Sequence, residues 1–385
     1  MRKFLLLSFA CILGRDPGFS QNMSFTCQTN LAISCGPPCI TLNVRFPDMR
    51  GLGTDYSFQN TTSTSACYPL TSPSTPGTST ALTIDDRYSA VIPITFNFPF
   101  YGIIRTSLVA STNGIISFDL SKANGISHYG ILNNGGTLSA TTGFPQNLPS
   151  ALYDAALIMG PYHDLDPSVG TSPTQKIKYD IVGTAPTRQF ILSFYKVPLF
   201  LTSCNGLFEN THQIILYESS GIIEVSVFDK QICTGWNQGR AMIGLQDDTK
   251  TKGIMAPTRT ASDPPWGSIG MNETWRFIPT VGSPLYRGVQ LLDATGAVVA
   301  TGDTIRVDDH TFEWNFTNIC APANTTSLYV VKTTYARIDD PTQTFYALDT
   351  INVTRTNSLA GTTSTTPTTC GVSVGTITVT PTAGT

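Results

Sequence analysis

Charge is scarce in this chain: Asp, Glu, Lys and Arg make up only 13% of 385 residues, with 23 basic against 26 acidic side chains. Without a basic surplus there is no electrostatic footprint for nucleic acid. No polybasic or amphipathic segment is present to lie on a membrane surface. The four histidines, His128, His163, His212 and His310, are scattered, with no H-E-x-x-H pair to hold a zinc ion. Stretches of Ala, Leu, Glu and Lys at helical spacing are missing, which argues against helix-rich and doubly wound α/β folds. Beyond residue 13 every apolar run is short and broken by Gly, Pro or charge, so no transmembrane span is expected.

What is present begins with the first twenty residues. Arg2 and Lys3 precede an apolar run from Phe4 to Leu13, and Gly18 and Ser20 stand where a signal peptidase takes small residues. That layout predicts an export signal over residues 1–20, cleaved after Ser20. A lipoprotein acylated at Cys11 is the competing reading, against which Phe9 is bulky where such signals carry small residues. Removing Cys11 leaves Cys27, Cys35, Cys39, Cys67, Cys204, Cys233, Cys320 and Cys370. An even number in an oxidising compartment reads as disulfides. Cys204 and Cys233 flank a predicted hairpin and are expected to pair. Cys27, Cys35, Cys39 and Cys67 allow three connectivities among themselves, and the two prolines between Cys35 and Cys39 oppose direct closure. Zinc is the rival use of these four.

Turn residues recur every ten or so positions between short β-branched and aromatic runs, which predicts an all-β, disulfide-stapled antiparallel sandwich. Residues 21–280 are read as this head, with a Cys-rich opening segment whose strand Ile40–Phe46 is expected to complete the head sheet. Further strands are predicted at 90–98, 107–110, 114–118, 176–182, 189–197, 212–217, 222–228, 241–245 and 275–277. Thr112-Asn113-Gly114 and Glu218-Ser219-Ser220-Gly221 read as tight turns. Residues 281–356 are read as a smaller immunoglobulin-like or fibronectin-like sandwich, with Trp314 and Cys320 in its core. A Thr-rich linker and the incomplete start of a further domain are expected over 357–385.

The densest polar cluster is Tyr162-His163-Asp164-Leu165-Asp166. Asp164 and Asp166, two apart on an extended loop, can offer hard oxygen ligands to calcium. The alternative is that they cap the turn between Pro161 and Pro167 through backbone amides. No other cofactor is indicated. Asp85-Asp86 and Asp247-Asp248, read as neighbours in extended chain, point to opposite faces and make poor acid/base couples. Asp308-Asp309-His310 matches a triad in residue type only and reads as a solvated turn. Trp236, beside Asn237, Gln238 and Arg240, and Trp266 in Pro264-Pro265-Trp266-Gly267, which reads as a loop tip, are candidate aromatic platforms for a sugar ring; the alternative is that both pack over the sandwich ends.

Several stretches carry a resemblance. Asn97-Phe98-Pro99-Phe100-Tyr101-Gly102, Ser111–Phe118, Gly160–Pro167, His212–Glu218 and Asn272–Phe277, with Cys35–Cys39 and its following strand, resemble an N-terminal module of large secreted proteins of gliding Bacteroidetes. More distantly, Asn113-Gly114-Ile115-Ile116-Ser117-Phe118 and the later hairpin are similar to the nidogen-type extracellular β domain. The resemblance covers roughly residues 27–280 and implies surface display or release through the type IX route. It brings no catalytic residue. The expected protein is a secreted or cell-surface adhesin without catalytic activity, meeting an extracellular glycan, matrix or neighbouring cell. The other class is a carbohydrate-binding accessory module or part of a secreted polysaccharide-degrading enzyme.

Overall fold

Short β-branched and aromatic runs, punctuated by Gly, Pro and Asn, leave this chain strands and turns as its main local options. A computed structural model describes residues 20–21, 30–34, 39–61, 77–131, 147–170, 172, 176–206, 208–302, 305–306, 311–356, 360–366 and 376–383. The expected signal segment up to residue 19, and Cys27, Cys35, Cys67 and Cys370, lie outside the described residues. Within them the protein is nearly all β. Among the described residues the one α-helix is the four-residue Thr202–Asn205, and no helix there is long and apolar enough to cross a membrane.

Two antiparallel sheets build the head. The larger runs Asp55–Asn60, Ser268–Thr280, Ile223–Lys230, Glu209–Tyr217, Gln189–Pro198, Lys176–Val182 and Thr78–Ser79. The other runs Gly253–Met255, Met242–Gln246, Leu157–Tyr162, Ile115–Ser117, Ile103–Ser111 and Ile92–Phe100. Phe98, Phe100, Leu192, Phe194, Ile214 and Val225 fill the space between the sheets. The far side of the smaller sheet carries its own core, in which Leu157, Met159 and Met242 pack under Tyr88, Tyr153 and Tyr162.

Strand Leu157–Tyr162 has no counterpart among the expected strands. It is buried on both faces, so its residues do not alternate with polar ones, and Gly160-Pro161 disguises it further. Gly160 is there because the sheets touch: a Cβ would meet both methyls of Val225 at 2.7 Å.

Strand Ile223–Lys230 is likewise buried along most of both faces. Its outward row is buried too, and a polar ladder crosses four strands through Ser193, Gln213, Ser226 and Thr274. Gln213 Nε2 donates to Ser193 Oγ at 2.9 Å, and Thr274 Oγ1 to Ser226 Oγ at 3.3 Å. Beside it Arg276 donates through Nε and Nη2 to Glu224 Oε2 at 3.1 and 2.8 Å.

The second unit corrects the expected role of the first strand. Cys39–Pro47 does not complete the head; it pairs antiparallel with Thr311–Cys320, which also pairs with Ile305–Arg306. Alternation had fixed its inward residues, Leu42, Val44 and Phe46, but could not say which sheet they face. They face Leu291, Phe316, Tyr335 and Phe345, from the second unit and its other sheet of Thr344–Thr356, Thr325–Ala336, Tyr286–Asp293 and Val298–Gly302. Asn30–Ser34 joins that sheet parallel to Asn352–Thr356.

Cys39 and Cys320 form a disulfide, so Cys39 pairs outside the N-terminal group of four cysteines and Cys320 lies at an exposed strand end, not in the core. Cys204 and Cys233 form the other disulfide of the described residues. The head reaches into the second unit: Ile222 of the hairpin turn and Ile278 of Ser268–Thr280 belong to its core, and Ile338 N donates to Ser219 O at 3.1 Å. The Thr-rich C-terminal segment is not a bare linker. Ala360–Thr366 pairs with Thr376–Ala383, as β-branched Thr permits.

Candidate metal centre

Two turns and one loop converge at one end of the smaller head sheet. The tight turn Thr112-Asn113-Gly114 joins Ile103–Ser111 to Ile115–Ser117. It lies so close to Leu157–Tyr162 that a Cβ on Gly114, at φ +77°, would sit 2.4 Å from Pro161 O. Only glycine satisfies both the angle and the approach. The loop leaving that strand carries His163, Asp164, Leu165 and Asp166. The turn at Asp85-Asp86 enters from the other side, held by bridges of Arg87 to Ile126 and Tyr88 to Ser111.

Asn113, fully buried, joins these pieces. Its Nδ2 donates to Asp86 Oδ1 at 2.8 Å and to His128 O at 2.9 Å, while its Oδ1 accepts from Leu165 N at 2.9 Å. The turn signal at Thr112-Asn113-Gly114 was legible, but this side-chain role was not.

The result is a group of three carboxylates, Asp85, Asp86 and Asp164, with ligand oxygens all within 4.8 Å of one another. Asp85 and Asp86 do not point apart, because they occupy a turn and not a strand. Asp164 is 4% exposed. The buried Oδ1 atoms of Asp85 and Asp164 accept no hydrogen bond, and among the described residues no Lys, Arg or His is ion-paired with any of the three.

Burial, with the charges of Asp86 and Asp85 beside it, pushes Asp164 up to about 9, against a smaller opposing pull from Trp236. Burial and the charges of Asp86 and Asp166 push Asp85 up to about 7. Asp86 is raised as well, first by burial, although the Asn113 bond opposes this. Chemically, this is an oxygen-only pocket whose carboxyl groups disfavour ionisation together, and among the described residues no Lys, Arg or His is paired with them to offset that charge.

Asp166 lies close by, but its Oδ1 accepts from Ser168 N at 2.8 Å and Ser168 Oγ at 2.5 Å, the turn-capping geometry. The neighbouring acid, Asp154, is well supplied. Tyr88 donates to it at 3.0 Å, and Lys122 and His128 approach at 2.5 and 3.3 Å. Burial pushes Asp154 up, but His128 and Lys122 outweigh that and hold it below the usual carboxylate range. His163 and His212 are buried and kept neutral, both chiefly by burial. Asp247 caps its own turn, accepting from Thr251 N and Lys252 N at 2.9 Å.

The expected aromatic platforms are not both available. Trp266 is 7% exposed; its Nε1 donates to Ala241 O at 2.8 Å, and the Arg259 guanidinium lies 4.2 Å from its ring. It is a core residue, and the flanking prolines that suggested a loop tip instead border a buried ring. Trp236 is half-buried against Phe200, with centroids 5.4 Å apart. Asp308, Asp309 and His310 lie outside the described residues, as does Gly371-Val372-Ser373-Val374-Gly375, which spells G-x-S-x-G.

A family model described as NIDO related matches residues 55–276, more than half of the chain and nearly all of the head. No curated protein and no solved structure matches the chain.

Proposed function

The chain belongs to the NIDO-related family, and from that premise we propose that it is a secreted or cell-surface, adhesin-like binding protein without catalytic activity. The family match over the head is the observation that carries this reading, because it marks a nidogen-like extracellular module. Two disulfides, Cys39–Cys320 and Cys204–Cys233, support maturation in an oxidising compartment. The resemblance to secreted modules of gliding Bacteroidetes supports surface display or type IX release. In this reading the sheets and disulfides resist proteolysis and shear, while loops contact a glycan, matrix protein or neighbouring cell.

Binding of the purified chain to an array of glycans and matrix proteins, followed by analysis of each bound ligand for turnover, is the test. Retention of one ligand class without cleavage is expected; hydrolysis of any polysaccharide would overturn the proposal. A second reading, a carbohydrate-binding accessory module, is favoured by one observation. A cavity of about 470 Å³ at the edge of the larger head sheet is lined by Ser79, Thr83, Lys176 and Lys178. Hydroxyls and ammonium groups suit an acidic sugar. Loss of glycan retention on Lys176→Ala would favour this reading, and unchanged retention would remove it.

A further inference from the structure

We propose that Asp85, Asp86 and Asp164 form a calcium site that locks the Asp85-Asp86 turn to the loop after Leu157–Tyr162. The spacing is the first argument. Two oxygens bound to one calcium ion at about 2.4 Å lie at most about 4.8 Å apart, and the ligand oxygens of these three residues fall within 4.8 Å of one another. Ligand chemistry is the second, since every group offered is a hard carboxylate oxygen and none is a thiolate or imidazole.

The third argument is independent of clustering. Asp164 is 4% exposed, yet its buried Oδ1 accepts nothing, and the enclosed Oδ1 of Asp85 is in the same condition. Buried carboxylate oxygens are hydrogen-bonded, paired or metal-bound in folded proteins. Asp154 shows what pairing looks like in this same region, with Lys122, His128 and Tyr88 all spent on it. Asp164 has no such charged partner: the Trp236 indole that pulls it down is neutral, and no Lys, Arg or His among the described residues is ion-paired with it. Asn113 completes the case by fixing the frame, since one amide holds both the Asp86 side chain and the backbone after Asp164. The site is therefore preformed, and the ion supplies the missing positive charge.

The site needs no particular partner for the module, so ion binding and ligand binding can fail separately. The full chain, freed of metal with EDTA, is melted with and without about 5 mM calcium chloride, above the roughly 0.1–1 mM dissociation constants of extracellular calcium modules. A rise in melting temperature of roughly 5 °C is expected, reversed by EDTA. Asp164→Asn is expected to lose it. Because Asp164 is buried, that variant perturbs the fold as well as the site, and Asp85→Asn, at a half-exposed position, tests the same point. Asp340→Asn, an exposed turn cap in the second unit, should keep the full response. Terbium luminescence excited through tryptophan, and quenched as calcium displaces the lanthanide, reads the site directly. A folded wild-type chain whose melt ignores calcium would overturn the proposal. So would a full-sized calcium shift in the Asp85→Asn/Asp86→Asn double variant.

Discussion

Replacing Ile222 by Ala is expected to weaken the second unit although Ile222 lies in the head hairpin. The side chain is 1% exposed and belongs to the second unit's core with Ile278, Leu285 and Ile338. Its turn is fixed from both sides, since Ile222 O accepts from Tyr217 N at 3.0 Å and Ser219 O from Ile338 N at 3.1 Å. Collapse around the missing atoms is therefore restricted. Removing three carbons forfeits about 2.4 kcal/mol at ~0.8 kcal/mol each. With the residual cavity the loss reaches about 3–4 kcal/mol, inside the range for buried Ile→Ala changes. Urea unfolding gives the total. Hydrogen exchange locates it, and protection is expected to fall in Thr325–Ala336 and Thr344–Thr356 as well as in the hairpin. Unchanged protection in those two strands would refute a core shared across the two units.

Glu224→Gln leaves Arg276 buried without its counter-charge and is expected to cost about 3–5 kcal/mol in urea unfolding, whereas joint replacement of both by apolar residues should recover most of it. A loss below about 1 kcal/mol would show that the pair is not a buried ion pair in solution. His212 is fully buried on the Phe194 ring, centroids 4.2 Å apart, and burial pulls it down from 6.5 to about 3. Between those values the unfolded chain binds a proton that the fold refuses, so stability is complete above pH 6.5 and falls as pH drops. Wild type is expected to lose roughly 2 kcal/mol more than His212→Phe between pH 7.5 and 5; parallel pH profiles of the two would contradict the assignment.

Much of the head was legible because its strands alternate. Lys176–Val182 and Gln189–Pro198 fall almost where their patterns place them, and the turn at Glu218–Gly221 joins the strands on either side. The Cys204–Cys233 link was legible for the same reason. Sheet membership was not. Alternation in Ile40–Phe46 sets which side chains point inward, but a partner at Thr311–Cys320 is a long-range choice made by packing. Leu157–Tyr162 was illegible because burial on both faces erases the period. At the candidate site, Asp164 was found by local density of polar residues, whereas Asp85 and Asp86 were set aside on strand geometry that does not apply to a turn. Their meeting with Asp164 depends on Asn113, whose contacts no linear spacing encodes.

Everything functional here depends on maturation outside a reducing cytosol. The most direct measurement is disulfide mapping by mass spectrometry on unreduced protein recovered from outside the cells that make it. Peptides joining Cys39 to Cys320 and Cys204 to Cys233 are expected. Alkylation of those four cysteines as free thiols in the native, folded chain would contradict the account.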